Sequence, residues 1–120
     1  MVNYRRHYVP GGTYFFTVNL LNRRSFLLTV HIGELREAFR SVRAEQPFEL
    51  EAIVVLPEHV HVLMALPPGD DRYSHRWRMI KSRFTRALLE LGVDVSKNRR
   101  GAMISGSTVF GSTRFGMKGI

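Results

Sequence analysis

Apolar and polar positions change rhythm repeatedly along this chain, and each rhythm points to an element. Pro10-Gly11-Gly12 marks a turn. Thr13 to Leu20, T-Y-F-F-T-V-N-L, is dense in β-branched and aromatic residues and reads as a strand. From Ile32 to Ala44 the period lengthens: Ile32, Leu35, Ala38, Phe39 and Val42 recur at three- and four-residue spacing on one helical face. Such a stripe is core packing. Pro47 lies past the helix end, as a stop should. Phe48 to Leu56 is a second strand, and its Ile53-Val54-Val55-Leu56 end is apolar enough to be central. Pro57-Glu58 is too short for a crossover, so His59 to Leu66 should pair with it as an antiparallel hairpin on a central strand. Pro67 to Asp71 is a loop. Tyr73 to Leu91 is a second helix, with Trp77, Ile80, Phe84, Ala87, Leu88 and Leu91 on one arc.

The order is β-α-β-β-α. That predicts an α+β, ferredoxin-like antiparallel sheet with two helices on one face. The last strand of such a unit would have to come from the tail. The tail from 98 to 120 is glycine-rich and without helical period, so the expectation is a domain over 1–97 followed by an irregular tail. Without a native last strand one sheet edge would lie open, and Val109-Phe110 would imitate it poorly. Low stability or disorder is expected after about residue 97.

A length of 120 residues is one domain, and 44% hydrophobic content supports a packed core. There is no cysteine, which excludes disulfides and thiolate chemistry. The apolar runs fall short of the roughly 18 residues that span a bilayer, and the N-terminus lacks a signal-peptide core. A cytoplasmic protein with no membrane partner is the default. The formal charge is +8, which favours a polyanion such as DNA or RNA. Tyr4, Arg5, Arg6, His7 and Tyr8 read either as an arm that grips phosphates and stacks on bases or as a loose terminus. For Arg23 and Arg24 a solvated loop is the simpler reading. In the second helix Arg76, Arg78, Lys81, Arg83 and Arg86 spread over the flanks and back with no acid among them, which favours a nucleic-acid-facing role.

The candidate chemistry lies in Leu56-Pro57-Glu58-His59-Val60-His61. On a strand His59 and His61 point to one face while Val60 points to the other. Alone, a His-apolar-His triplet is most often surface alternation. Here it falls on a central strand, beside a basic helix, after a tight turn that fixes register. Two imidazoles make half of a divalent-metal site; Mg²⁺ or Mn²⁺ would want about six ligands, so another side chain, water and a phosphate must complete it. Glu58 should lie on the opposite side from His59, which leaves it a turn role.

The set Asn3-Tyr4-Arg5-Arg6, Gly11-Gly12-Thr13-Tyr14-Phe15-Phe16-Thr17-Val18, Pro47-Phe48, Val55-Leu56-Pro57-Glu58-His59-Val60-His61, and Trp77 with Ile80-Lys81-Ser82-Arg83-Phe84 resembles the REP-associated tyrosine transposases. These belong to the single-tyrosine HUH group of insertion-sequence transposases. The resemblance implies a ferredoxin-like fold and Mg²⁺ or Mn²⁺ on the histidine pair, here His59 and His61. It implies a single-stranded DNA partner with a hairpin, cleaved by a tyrosine that becomes covalently linked to the 5′ phosphate. It also implies that Tyr4, Arg5 and Arg6 help read bases next to the hairpin.

The family pattern breaks after about residue 90. A stretch like I-W-Q-x-R-F-W-E-H-x-I-R-N-E, then a helix with D-Y-I-x-x-N-P-V-K-H-G carrying the nucleophile and a third ligand, is absent from this sequence. Codons can be chosen for Met103 to Ile120 so that the frame starting at the third base reads D-I-W-Q-H-G-F-W-E-H-T-I-R-N-E-G-D. A frameshift near residue 100 that replaced the C-terminal region is the expectation. Tyr4, Tyr8, Tyr14 and Tyr73 remain, none in the nucleophile's context. Tyr73 reads as an aromatic at a helix start, packed on the sheet. An inactive copy is therefore expected, or, as the alternative, a non-catalytic nucleic-acid-binding module.

Overall fold

A computed structural model describes residues 11–95 and the backbone of 110–117. The elements run β1 (Thr13–Leu20), a one-turn α1 (Leu27–Val30), α2 (Ile32–Glu45), β2 (Glu49–Val55), β3 (His59–Ala65), α3 (Tyr73–Glu90) and β4 (Phe110–Met117). The strands form one antiparallel sheet in the order β2-β3-β1-β4, the order of a ferredoxin-like unit. The last strand does come from the tail. Phe110–Met117 pairs along β1, so the edge expected to be open is covered. The register shifts between Val18 and Leu20. The expectation of disorder over 98–109 and 118–120 lies outside the described residues.

Alternation divides the sheet into two faces. Tyr14, Phe16 and Val18 of β1 stand opposite Met64, Val62 and Val60 of β3, and all six are buried. They pack against Leu35, Ala38, Phe39 and Val42 of α2 and Trp77, Ile80, Phe84 and Leu88 of α3. Aromatic rings dominate the join: Phe16 lies 5.4 Å from both Tyr73 and Trp77, and Tyr14 lies 4.8 Å from Tyr73. Tyr73 thus packs on the sheet as expected.

β2 corrects the reading of Ile53 to Leu56 as central. It is an edge strand, and Ile53 and Val54 are 38% and 55% exposed. A bulge at Glu51 accounts for the pattern: Leu50 opposes Met64, but Ala52 opposes Leu63, so the alternation flips. Past the bulge Ile53 and Val55 share the helix face with Val62 and Val60, and Val54 shares the other face with His61.

α3 ends where Gly92 takes a positive φ of 81°. Gly92 N–H donates to Leu89 O and Val93 N–H to Leu88 O, each at 3.0 Å, a paired closure that satisfies the last carbonyls. At the other end of the sheet Gly11, with φ 74°, donates to Asp70 O at 2.9 Å; a Cβ there would stand 3.2 Å from Pro68 Cα.

Arg76 departs furthest from its expected place on the flanks. It is 1% exposed and ties together two loops, the α2–β2 link and the β3–α3 link. Its guanidinium donates to Gln46 O at 3.1 Å, Pro47 O at 2.8 Å, Arg72 O at 3.1 Å, and in a fork to Asp70 at 3.2 and 2.8 Å. The bond from Arg76 holds the Asp70 carboxyl well below the usual carboxylate range, against the opposing effect of burial. Replacing Asp70 with Ala would strand a buried cation and should cost about 3 kcal/mol in a urea denaturation series. Because folding depresses the Asp70 pKa, its contribution is complete at neutral pH. It should fade as pH falls below about 4, and this slope should vanish in Asp70→Ala.

Candidate functional site

The site grows from the tight link between β2 and β3. Leu56 N–H bonds to His59 O at 2.8 Å and closes a four-residue turn over Pro57-Glu58. Two further bonds fasten this turn: Leu20 N–H to Glu58 O at 2.8 Å and Leu28 N–H to Pro57 O at 3.2 Å. The register of β3 is therefore set from both sides. Val60 and Val62 enter the core, and His59 and His61 emerge on the other face, opposite Asn19 and Thr17 of β1. The strand members of the core all lie on the helix face, and both imidazoles are half-buried on the face away from it. Their ring centroids are 4.9 Å apart at 82°.

Each ring has its Nδ1 engaged. His61 Nδ1 and Thr17 Oγ1 share a hydrogen bond of 2.9 Å across the strand pair. His59 Nδ1 lies 2.7 Å from Glu58 Oε1. The other carboxylate oxygen of Glu58 accepts from Arg23 Nε at 2.9 Å. This corrects the placement of Glu58 away from His59. Glu58 precedes the strand, so strict alternation does not govern it, and the turn swings its carboxylate back over the first imidazole. Burial pushes the Glu58 carboxyl up, but the hydrogen bonds and charges of His59 and Arg23 together outweigh it and leave it below its ordinary value. Phe15 stacks on His61 with centroids 5.8 Å apart and planes within 12°.

These residues fit half of a divalent-ion site. Two imidazole nitrogens suit Mn²⁺ and its neighbours, and Nε2 of each ring meets no protein partner among the described residues. No group of three His, Cys, Asp or Glu side chains able to hold a metal comes together among the described residues. Further ligands would be oxygens of water or of an anionic substrate.

The basic helix does not stand beside this pair, as the sequence reading had it. Phe16 and Val62 face α3 through Tyr73 and Trp77, whereas Thr17 and His61 face away, so the sheet separates α3 from the histidines. Along α3, Arg78 and Arg86 are exposed. Arg83 forks onto Glu45 of α2 at 2.9 Å and also reaches Ser41 at 3.1 Å. Lys81 is half-buried, and burial pushes its ammonium below its ordinary value. Tyr4, Arg5 and Arg6 lie outside the described residues. Sequence reasoning missed Thr17, Arg23 and Glu58 as neighbours of the histidines. A strand register of Thr17 against His61 would have found the first; nothing local marks the other two. No helix among the described residues is long and apolar enough to cross a membrane.

No family model matches the chain. A REP-associated tyrosine transposase of Escherichia coli K12 is 58% identical over 87 residues, 72% of this chain and 53% of that protein. A Haemophilus influenzae protein given the same name provisionally is 44% identical over 100 residues, 83% of this chain and 57% of that one. Among solved structures, a REP-associated tyrosine transposase bound to a REP hairpin superposes with a TM-score of 0.78 at 43% identity, over 98% of this chain and 62% of that chain. The shared sequence includes the strand pair that carries His59 and His61, and the shared fold spans the whole sheet. The chain spans about half the length of the curated relatives it matches, and over that span it is a homologue of the REP-associated tyrosine transposases.

Proposed function

We propose that this chain is the DNA-handling portion of a REP-associated tyrosine transposase. It binds single-stranded DNA next to a hairpin and holds Mg²⁺ or Mn²⁺ on His59 and His61. The observation that carries this reading is the pair of imidazoles side by side on the face away from the core, each with Nδ1 engaged and Nε2 without a hydrogen-bond partner among the described residues. A divalent ion there would polarise a phosphodiester and offset its charge. Arg23, on the loop that reaches Glu58, is a described cation tied to that neighbourhood, and Arg24 follows it on the same loop. Arg78 and Arg86 lie on the far side of the sheet. They serve a second contact, with phosphates of the paired stem, and the basic arm at Tyr4, Arg5 and Arg6 reads bases beside it.

Among the described residues no tyrosine is placed as the nucleophile. Tyr14 is fully buried and Tyr73 is 3% exposed, both on the helix face, so neither hydroxyl reaches a phosphate held at the histidines. That burial favours the second reading, a non-catalytic nucleic-acid-binding module. The two readings part at the metal.

Titration with Mn²⁺ followed by electron paramagnetic resonance should show uptake that His59→Ala and His61→Ala abolish. Equal uptake by all three proteins rejects the metal site, and hairpin binding indifferent to Mn²⁺ then leaves the binding module. With a hairpin-bearing single strand and Mn²⁺, a denaturing gel should show no covalent adduct; an adduct would place a nucleophilic tyrosine in this chain. The double variant Arg78→Ala with Arg86→Ala should lower the salt slope of hairpin binding by about 2, roughly 1 per phosphate contact, and leave an unpaired strand bound as before. Arg83→Ala should change the slope less, because Glu45 already neutralises that cation.

A further inference from the structure

We propose that Thr17 and Glu58, with Arg23 bracing Glu58, are positioning residues that fix both imidazoles with Nδ1 against protein and Nε2 toward the site. The purpose of this arrangement rests on the metal reading above; the arrangement itself does not.

A carboxylate can only accept. With Glu58 Oε1 at 2.7 Å, the proton between the two groups belongs to His59 Nδ1, and the lone pair of that ring is left on Nε2. Glu58 is not free to turn away. Arg23 Nε occupies its second oxygen at 2.9 Å, and its own carbonyl is bonded to Leu20 N–H at 2.8 Å. Backbone and side chain are thus both tethered to the β1 end.

Thr17 does the same work for His61 by another route. The antiparallel register places it directly opposite, and its hydroxyl lies 2.9 Å from Nδ1. A β-branched side chain on a strand has little freedom at χ1, so the hydroxyl is held rather than sampled. A hydroxyl can accept as well as donate. When Nε2 gives its lone pair to an ion, Nδ1 carries the proton and Thr17 accepts it. On the ring's other side Phe15 lies parallel, which restricts rotation about χ2. Two different partners from two different directions also account for the near-perpendicular rings, at 82°. A valine at position 17 would serve the strand equally well and would leave Nδ1 of His61 unpaired.

Partners of this kind orient a ligating imidazole and raise its basicity, and losing one weakens metal affinity about 10- to 100-fold. The test uses the full chain and Mn²⁺ alone, with no DNA. Thr17→Val and Glu58→Leu should each weaken Mn²⁺ binding at least about tenfold. Thr17→Ser and Glu58→Gln, which keep an acceptor, should recover most of it. Long-range ¹⁵N–¹H spectra of the metal-free protein should show His59 as the Nδ1–H tautomer in wild type and a tautomer mixture in Glu58→Leu. The same spectra report whether each variant is folded. Wild-type affinity in Thr17→Val and Glu58→Leu, or an Nε2–H tautomer at His59 in wild type, would overturn the proposal. If the wild type takes up no Mn²⁺, the metal reading fails, and the tautomer spectra alone then decide whether Glu58 sets the ring.

Discussion

The two-residue period of β3 is the constraint on which the molecule turns. One ribbon places Val60, Val62 and Met64 in the core and His59, His61 and Leu63 on the opposite face. A slip of one residue would bury two imidazoles and expose the valines, at a cost the fold could not absorb. The register is accordingly held from several sides. The Pro57-Glu58 turn closes on itself, Leu20 and Leu28 bond to its carbonyls, and β1 pairs with β3 from Thr13 to Asn19. Stability and chemistry are thus specified by the same hydrogen bonds.

The periodic elements were legible because their periods are clean. The strand at Thr13 to Leu20 and the starts of both long helices fall where the apolar spacing puts them. β2 was misread as central for a physical reason. An uninterrupted Ile-Val-Val run looks the same whether a strand is covered on both sides or whether a bulge has flipped its alternation at an edge. Arg76 was misread because charge in a helical pattern signals solvent by default. Its burial depends on two backbone carbonyls at Gln46 and Pro47 and on Asp70, partners that lie close only after the chain has folded. β4 could not be anticipated from its own residues, since Gly111 and Gly116 give poor strand propensity; the open side of β1 supplies the pairing.

At the site, the histidine pair followed from alternation alone, and its surroundings did not. Charge counting grouped the α3 cations with the histidines because sequence carries no information about which face of a sheet a helix covers. Once α3 is placed, the cations sort by partner. Arg76 and Arg83 meet Asp70 and Glu45 and serve the fold, while Arg78 and Arg86 stay at the surface. Any polyanion that touches both those arginines and the histidines must pass around the sheet edge. That geometry suits a strand and its attached stem better than it suits a straight duplex.

The apolar neighbours of the histidines bear on how strongly an ion would be held. Phe15 stacks on His61, and Val54 stands beside it in the sheet register. Phe15 and Val54 are themselves exposed, so they cover one flank of the ring only in part, and neither offers a competing ligand. Partial burial strengthens the hydrogen bonds between Thr17 and His61 and between Glu58 and His59, both of which weaken in bulk water. The same partial burial would make an unpaired Nδ1 costly, so the ring partners and the apolar flank support one another. A polar replacement of Phe15 would therefore loosen the orientation of His61 while leaving every potential ligand in place.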